Sequence, residues 1–149
     1  MSKKHPITNK IVNRRARYDY ELGDNIIAGV ILSGRETKAL RQGRGQLQGA
    51  FITIKNNEPF LTNSLISNGK TFAINESEQT RSRKLLLSKK QIHSLIEAKN
   101  QGKTIVPLEF LTKGKYIKLK IAIGKGKKRY DKRETIKKRD QERNIRAII

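Results

Sequence analysis

The sequence predicts a mainly β fold with helices: a small antiparallel barrel, closed or partly closed, carrying two or three helices and a basic C-terminal tail. Three observations predict it. Short apolar–polar alternations recur between turn residues, as at 50–55 and 116–123. Helix-period patterns are confined to a short segment at 36–41 and a longer one that begins near Leu87. The last 25 residues, KGKKRYDKRETIKKRDQERNIRAII, are dense in Lys and Arg and lack an apolar face that could dock on the rest of the chain.

Taken in order, residues 1–17 hold Lys3, Lys4, Lys10, Arg14, Arg15 and Arg17 and no acidic residue, a composition expected of a flexible arm. Asp19, Glu21 and Asp24 then lead into Ile26-Ile27-Ala28-Gly29-Val30-Ile31-Leu32, which reads as a strand buried on both faces. Gly34 breaks that strand, and 36–41 fits a short helix stopped by Gly43, with Ala39 and Leu40 inward and Lys38 and Arg41 outward. Ala50, Ile52 and Ile54 alternate with Phe51, Thr53 and Lys55 before Asn56-Asn57, a pair that tolerates the positive φ of a tight hairpin. The return strand, 59–67, has Pro at its start, where a missing N–H costs least. Residues 68–80 are polar and read as a loop.

Ser88 and Gln91 form a capping box, and Leu87 with Ile92 a hydrophobic staple, so a helix should start there with Ile92, Leu95 and Ile96 inward and Gly102 as its stop. Strands at 104–111 and 116–123 should flank Thr112-Lys113-Gly114-Lys115 as a hairpin. In the second strand Ile117, Leu119, Ile121 and Ile123 alternate with Lys118, Lys120 and Ala122, so one face is core and the other presents lysines. Oligonucleotide-binding barrels have this size, and the expected form is OB-like.

Charge narrows the partner. Lys and Arg number 34 against 13 Asp and Glu, a net charge of +21. A polyanion that releases counterions on binding is the simplest partner for such an excess, and the tail lacks the apolar face an interfacial membrane helix needs. There is no Cys, which excludes disulfides and thiolate metal sites. The longest apolar run, 26–32, is far below the roughly 18 residues of a membrane span, so a cytoplasmic protein is expected.

Catalytic constellations are not legible. His5 and His93 stand apart from any Cys or clustered carboxylates, so neither a metal nor a cofactor is expected. Gly43-Arg44-Gly45-Gln46-Leu47-Gln48-Gly49 has its third Gly one place late for a dinucleotide fingerprint and reads as a turn. Gly124-Lys125-Gly126-Lys127-Lys128 lacks the Ser or Thr of a phosphate loop, and its glycines suit a backbone bending out of the barrel. Four basic clusters carry the functional signal: Arg14-Arg15-Ala16-Arg17, Lys38 with Arg41, Arg81-Ser82-Arg83-Lys84, and the tail. With only 5% aromatic residues, recognition of folded RNA by shape and phosphate is favoured over base-by-base reading of single strands.

Five blocks in order resemble the bacterial transfer-messenger RNA-binding protein (SsrA-binding protein) family. They are Asn13-Arg14-Arg15-Ala16-Arg17-Tyr18-Asp19-Tyr20, the stretch 28–41, Thr80-Arg81-Ser82-Arg83-Lys84-Leu85-Leu86-Leu87, Gly102-Lys103-Thr104-Ile105-Val106-Pro107-Leu108, and the stretch 125–133. The resemblance covers nearly the whole chain. It implies an OB-like barrel, not an enzyme, that binds the tRNA-like domain of transfer-messenger RNA and delivers it to stalled ribosomes for trans-translation. It also implies RNA-binding roles for Asn13, Arg15, Arg17, Glu36, Lys38, Arg41, Leu86, Lys118 and Lys120, to which the basic clusters add Arg14, Arg81, Arg83 and Lys84. Glu36 is expected to orient a neighbouring cation or to accept from a base or 2′-OH, since a carboxylate does not attract phosphate.

The implied organisation is a basic arm at 1–12, the barrel at 13–124 and a tail at 125–149 that becomes helical on the ribosome. Lys125, Gly126, Lys127, Lys128, Tyr130, Asp131, Lys132, Arg133, Lys137, Lys138 and Arg139 would meet small-subunit rRNA along the decoding centre and message channel. Only Ile136 and Ile145 interrupt the polar stretch 130–146, too little for a helix stable alone. A monomer is expected. Ile27 and Glu78-Gln79-Thr80 depart from the commoner family pattern, an acidic residue and Asp-Pro-Thr respectively. Composition alone also allows a ribosomal or ribosome-assembly protein that binds rRNA.

Overall fold

The computed structural model describes residues 11–68 and 73–127. Ile11–Val12 (β1) precedes one helical turn, Ala16–Asp19 (α1), and the long strand Tyr20–Val30 (β2). Gly34–Arg41 is α2 and Gly45–Gln46 is β3. Phe51–Lys55 (β4) and Glu58–Thr62 (β5) form a hairpin, followed by Leu65–Ile66 (β6), the helical turn Glu76–Gln79 (α3) and Arg83–Leu86 (β7). The helix Lys89–Asn100 (α4) leads into the hairpin of Thr104–Leu111 (β8) and Lys118–Gly126 (β9).

Seven strands make one antiparallel sheet in the order β1-β8-β9-β2-β7-β5-β4, and β3 pairs with β6. The edge strands β1 and β4 share no ladder, although β4 lies against β8. This is the partly closed form of an OB-like barrel. Leu40, Leu61, Ile66, Leu95, Leu119 and Ile121 fill its interior and are inaccessible to solvent. Each such side chain contributes about 1.5–3 kcal/mol relative to exposure.

Local chemistry explains the elements. Asn56 and Asn57 adopt φ 51° and 60° between β4 and β5, the left-handed pair that a two-residue hairpin requires. At the start of α4 the Gln91 amide donates to Ser88 Oγ at 3.2 Å and the Ser88 amide to Gln91 Oε1 at 3.0 Å. Gly102 stops the chain after α4 at φ 82°. The predicted strand at 104–111 has the bounds of β8.

Several expectations give way. The run 26–32 is not buried on both faces: Ala28 is inaccessible, but Ile27 and Ile31 are 43% and 47% exposed, because β2 begins at Tyr20 and alternates as a one-sided strand. Neither boundary expected for an arm, 17 or 12, holds, since Ile11 and Val12 pair with Phe110 and Glu109 and Ala16 is buried. At the other end Gly124 is not the exit from the barrel. Strand β9 continues to Gly126 opposite Tyr20, and the Lys127 amide still donates to the Asp19 carbonyl at 2.9 Å. The return segment 59–67 is two strands, β5 and β6, and the loop at 68–80 contains α3. Strand β7 is not among the expected strands, because Arg83 in an inward position hides its alternation.

Candidate nucleic-acid interface

The first basic cluster is anchored by a bulge. Pro107 pairs with Ile121 and Glu109 with Lys120, leaving Leu108 as an extra residue in β8. Asn13 fastens to this segment, its amide donating to the Leu108 carbonyl at 2.7 Å and its Nδ2 to the Pro107 carbonyl at 3.0 Å. Buried Ala16 seats α1 against the barrel, which leaves Arg14, Arg15 and Arg17 outside. Arg15 lies 5.2 Å from the centre of the Tyr18 ring and 3.6 Å from Asp19, so its direction is set. Beside them is a hollow of about 520 Å³ lined by Asn13, Arg14, Arg17, Tyr20, Asn25 and Lys120 among others.

The second cluster starts from Ser33, whose Oγ accepts from the Glu36 amide at 3.2 Å while Glu36 Oε1 accepts from the Ser33 amide at 2.9 Å. This capping box, Ser33-x-x-Glu36, was present in the sequence and fixes the first turn of α2. The Glu36 carboxylate also holds two cations. Arg83 Nε donates to Oε2 at 2.6 Å, and Arg81 Nη2 donates to Oε1. Burial alone would push the Glu36 carboxyl up, but the Ser33 amide and the Arg81 and Arg83 guanidiniums hold it below the ordinary value. Burial pulls the Arg83 pKa down from that of a free arginine, opposed by its bond to Glu36.

Arg83 and Glu36 are therefore corrections to the sequence reading as surface contacts. Their side chains are 0% and 2% exposed, so neither reaches an RNA directly in this fold. The remaining Arg83 donors go inward, Nη1 to the Ser64 carbonyl, Ser64 Oγ and the Arg81 carbonyl, and Nη2 to the Glu78 and Gln79 carbonyls. Glu36 takes the orienting role expected as one of its alternatives. The departure at Glu78-Gln79-Thr80 sits on this clamp, where Arg83 holds the Glu78 and Gln79 carbonyls and Gln79 Nε2 donates to the Ile74 carbonyl at 3.2 Å.

Arg41 also differs from expectation. It is exposed, but its guanidinium donates to the Thr112, Gly114 and Lys115 carbonyls at 3.3, 2.9 and 3.0 Å. Lys38 faces outward on the same helix. Lys84 pairs with Glu58 at 3.1 Å, and Lys120 with Glu109 at 3.2 Å. The alternate face of β9 is thus not a plain row of lysines, since Lys120 is half-buried and Ala122 is inaccessible.

Lys118, Gly29 and Leu86 lie in one row across β9, β2 and β7. A Cβ on Gly29 would stand 3.2 Å from Leu86 Cβ, so the missing side chain lets Leu86 settle across the strand while 54% exposed. Along β8 and the residue after it the sites succeed one another: Asn13 at Pro107, Lys120 at Glu109, Arg41 at Thr112. Those five residue steps span about 17 Å at roughly 3.3 Å each. Lys125, Gly126 and Lys127 lie at the end of β9, and Lys128, Tyr130, Asp131, Lys132, Arg133, Lys137, Lys138 and Arg139 lie outside the described residues. Among the described residues no group of three or more His, Cys, Asp or Glu could hold a metal, and no helix is long and apolar enough to cross a membrane.

A partly closed barrel of this size, with Arg14, Arg15, Arg17, Lys38 and Lys118 exposed on it, defines a basic OB-like domain whose surface suits a polyanion. Comparison with known proteins makes the assignment specific. The chain belongs to the SmpB protein family, whose model matches residues 10–149. It is 47% identical over 138 residues to an SsrA-binding protein of Enterococcus faecalis, covering 92% of this chain and 90% of that one. It is 43% identical over 138 residues to an SsrA-binding protein of Shouchella clausii, covering 92% and 88%. Among solved structures, "tmRNA-SmpB: a journey to the center of the bacterial ribosome" contains a chain with TM-score 0.67 and 32% identity, covering 86% of this chain and 94% of that one.

Proposed function

We propose that this protein binds the tRNA-like domain of transfer-messenger RNA through its barrel and delivers it to stalled ribosomes in the cytoplasm for trans-translation. Membership of the SmpB family along residues 10–149 is the observation that carries this reading. The fixed cations support it physically, because a folded RNA is gripped by phosphates at set spacings. Asn13, Arg14, Arg15, Arg17, Lys38, Arg81, Lys84, Leu86, Lys118 and Lys120 make the RNA-facing set, with Glu36 and Arg83 beneath it as positioning residues. The protein acts by binding and placement, without bond chemistry of its own. The tail beyond Lys127 engages the ribosome.

Separable failure tests the division of labour. Replacing Arg15 and Lys38 with Ala weakens binding to the tRNA-like RNA by ~1–3 kcal/mol for each charge-assisted hydrogen bond removed. Truncation after Lys127 leaves that binding nearly intact and abolishes tagging of stalled peptides. The cut belongs after Lys127 because a cut after Gly124 would strip the end of β9 from Tyr20 and Glu21. Equal loss of RNA affinity in both proteins would refute the two-site arrangement.

A further inference from the structure

Arg41 joins two elements that the basic clusters treat separately. It reaches from the last turn of α2 to the connection between β8 and β9, where three carbonyls within four residues converge on its guanidinium. A planar fork with fixed donors suits that task, and a lysine would reach fewer of the carbonyls. Gly114 sits in this connection at φ 92°, a conformation that side chains rarely adopt, so the loop follows one defined path.

That path presents Lys113, Lys115 and Tyr116 to solvent. Tyr116 is 69% exposed, the Lys115 ammonium lies 5.6 Å from its ring centre, and the next residue, Ile117, is buried. With Ile117 turned inward, Tyr116 lies on the outer side of the chain. An aromatic ring this exposed adds little to the core, and rigid rings flanked by cations are where unstacked bases bind. An acidic protein surface would satisfy the two lysines equally well but would leave the ring without a purpose.

Resting on the reading of the protein as RNA-binding, we infer that the β8–β9 connection is a nucleobase-stacking site. Tyr116 is the platform, Lys113 and Lys115 hold the adjoining phosphates, and Arg41 is a positioning residue that acts through the loop backbone rather than touching RNA. The RNA has two sources, the tRNA-like RNA and the ribosome. Both present unstacked bases beside phosphates.

The test measures binding of the full chain and its Tyr116→Ala and Tyr116→Phe variants to the isolated tRNA-like RNA and, separately, to vacant ribosomes. Tyr116→Ala weakens one of the two by about tenfold, and the arm that loses affinity names the source, while Tyr116→Phe stays within about twofold because it keeps the ring. Ultraviolet cross-linking then yields a nucleotide adduct on the peptide containing Tyr116. Arg41→Lys combined with Tyr116→Ala binds no more weakly than Tyr116→Ala combined with Lys113→Ala and Lys115→Ala. Wild-type affinity of Tyr116→Ala for both targets, or a loss for ribosomes with an adduct only to a ribosomal protein, overturns the stacking site while leaving the proposed function standing. Wild-type protein that binds neither target overturns both. A double variant, Arg41→Lys with Tyr116→Ala, that binds more weakly than Tyr116→Ala combined with Lys113→Ala and Lys115→Ala overturns the positioning role.

Discussion

Arg83 Nε lies 2.6 Å from Glu36 Oε2 in the interior of the barrel, and the carboxylate that accepts this bond is also the one that caps α2 through Ser33. One acidic side chain thereby couples the start of the helix bearing Lys38 and Arg41 to the strand bearing Lys84 and Leu86. Desolvation offsets much of the attraction within a buried pair, but removing one member leaves a charge with no counterpart.

Arg83→Ala is therefore expected to cost about 3–5 kcal/mol, read as a lower midpoint in urea. Arg81→Ala, at the 37% exposed end of the network, costs about 1 kcal/mol or less. The same loss in both variants would mean that the buried guanidinium does not organise the 78–81 segment.

Acid should act at the same place. The folded Glu36 carboxyl lies below its ordinary value of 4.5, so the charged form stabilises the fold. Its contribution is complete above pH 4.5 and is lost as pH falls through the lower folded value. Glu36→Gln lowers stability near neutral pH and flattens the decline below pH 4.5. Urea midpoints measured at a series of pH values check this, and an unchanged acid slope in Glu36→Gln would contradict it.

How far the sequence revealed this arrangement follows from what its patterns encode. Asn56-Asn57, the Ser88 capping box and the strand at 104–111 were legible because turn chemistry and period-two burial are local. Strand β7 was not, because Arg83 occupies an inward position and looks like a surface cation until Glu36, 47 residues away, is seen to meet it. The capping box at Ser33 was available and would have signalled a fixed Glu36. Arg41 was identified as exposed, but its three carbonyl partners lie more than 70 residues downstream and leave no local trace. The bulge at Leu108 was equally silent, because the register shift between Pro107 and Glu109 depends on the partner strand.

Selectivity of the barrel for a tRNA-like fold is tested most directly by competition binding. Full-length protein and protein ending at Lys127 are each bound to labelled tRNA-like domain at fixed moderate salt, then challenged with unlabelled copies of that RNA or with an rRNA fragment of equal length. The account predicts that both proteins prefer the tRNA-like domain, by an amount that truncation does not change. Equal competition by the rRNA fragment, or a preference that disappears with the tail, would contradict it.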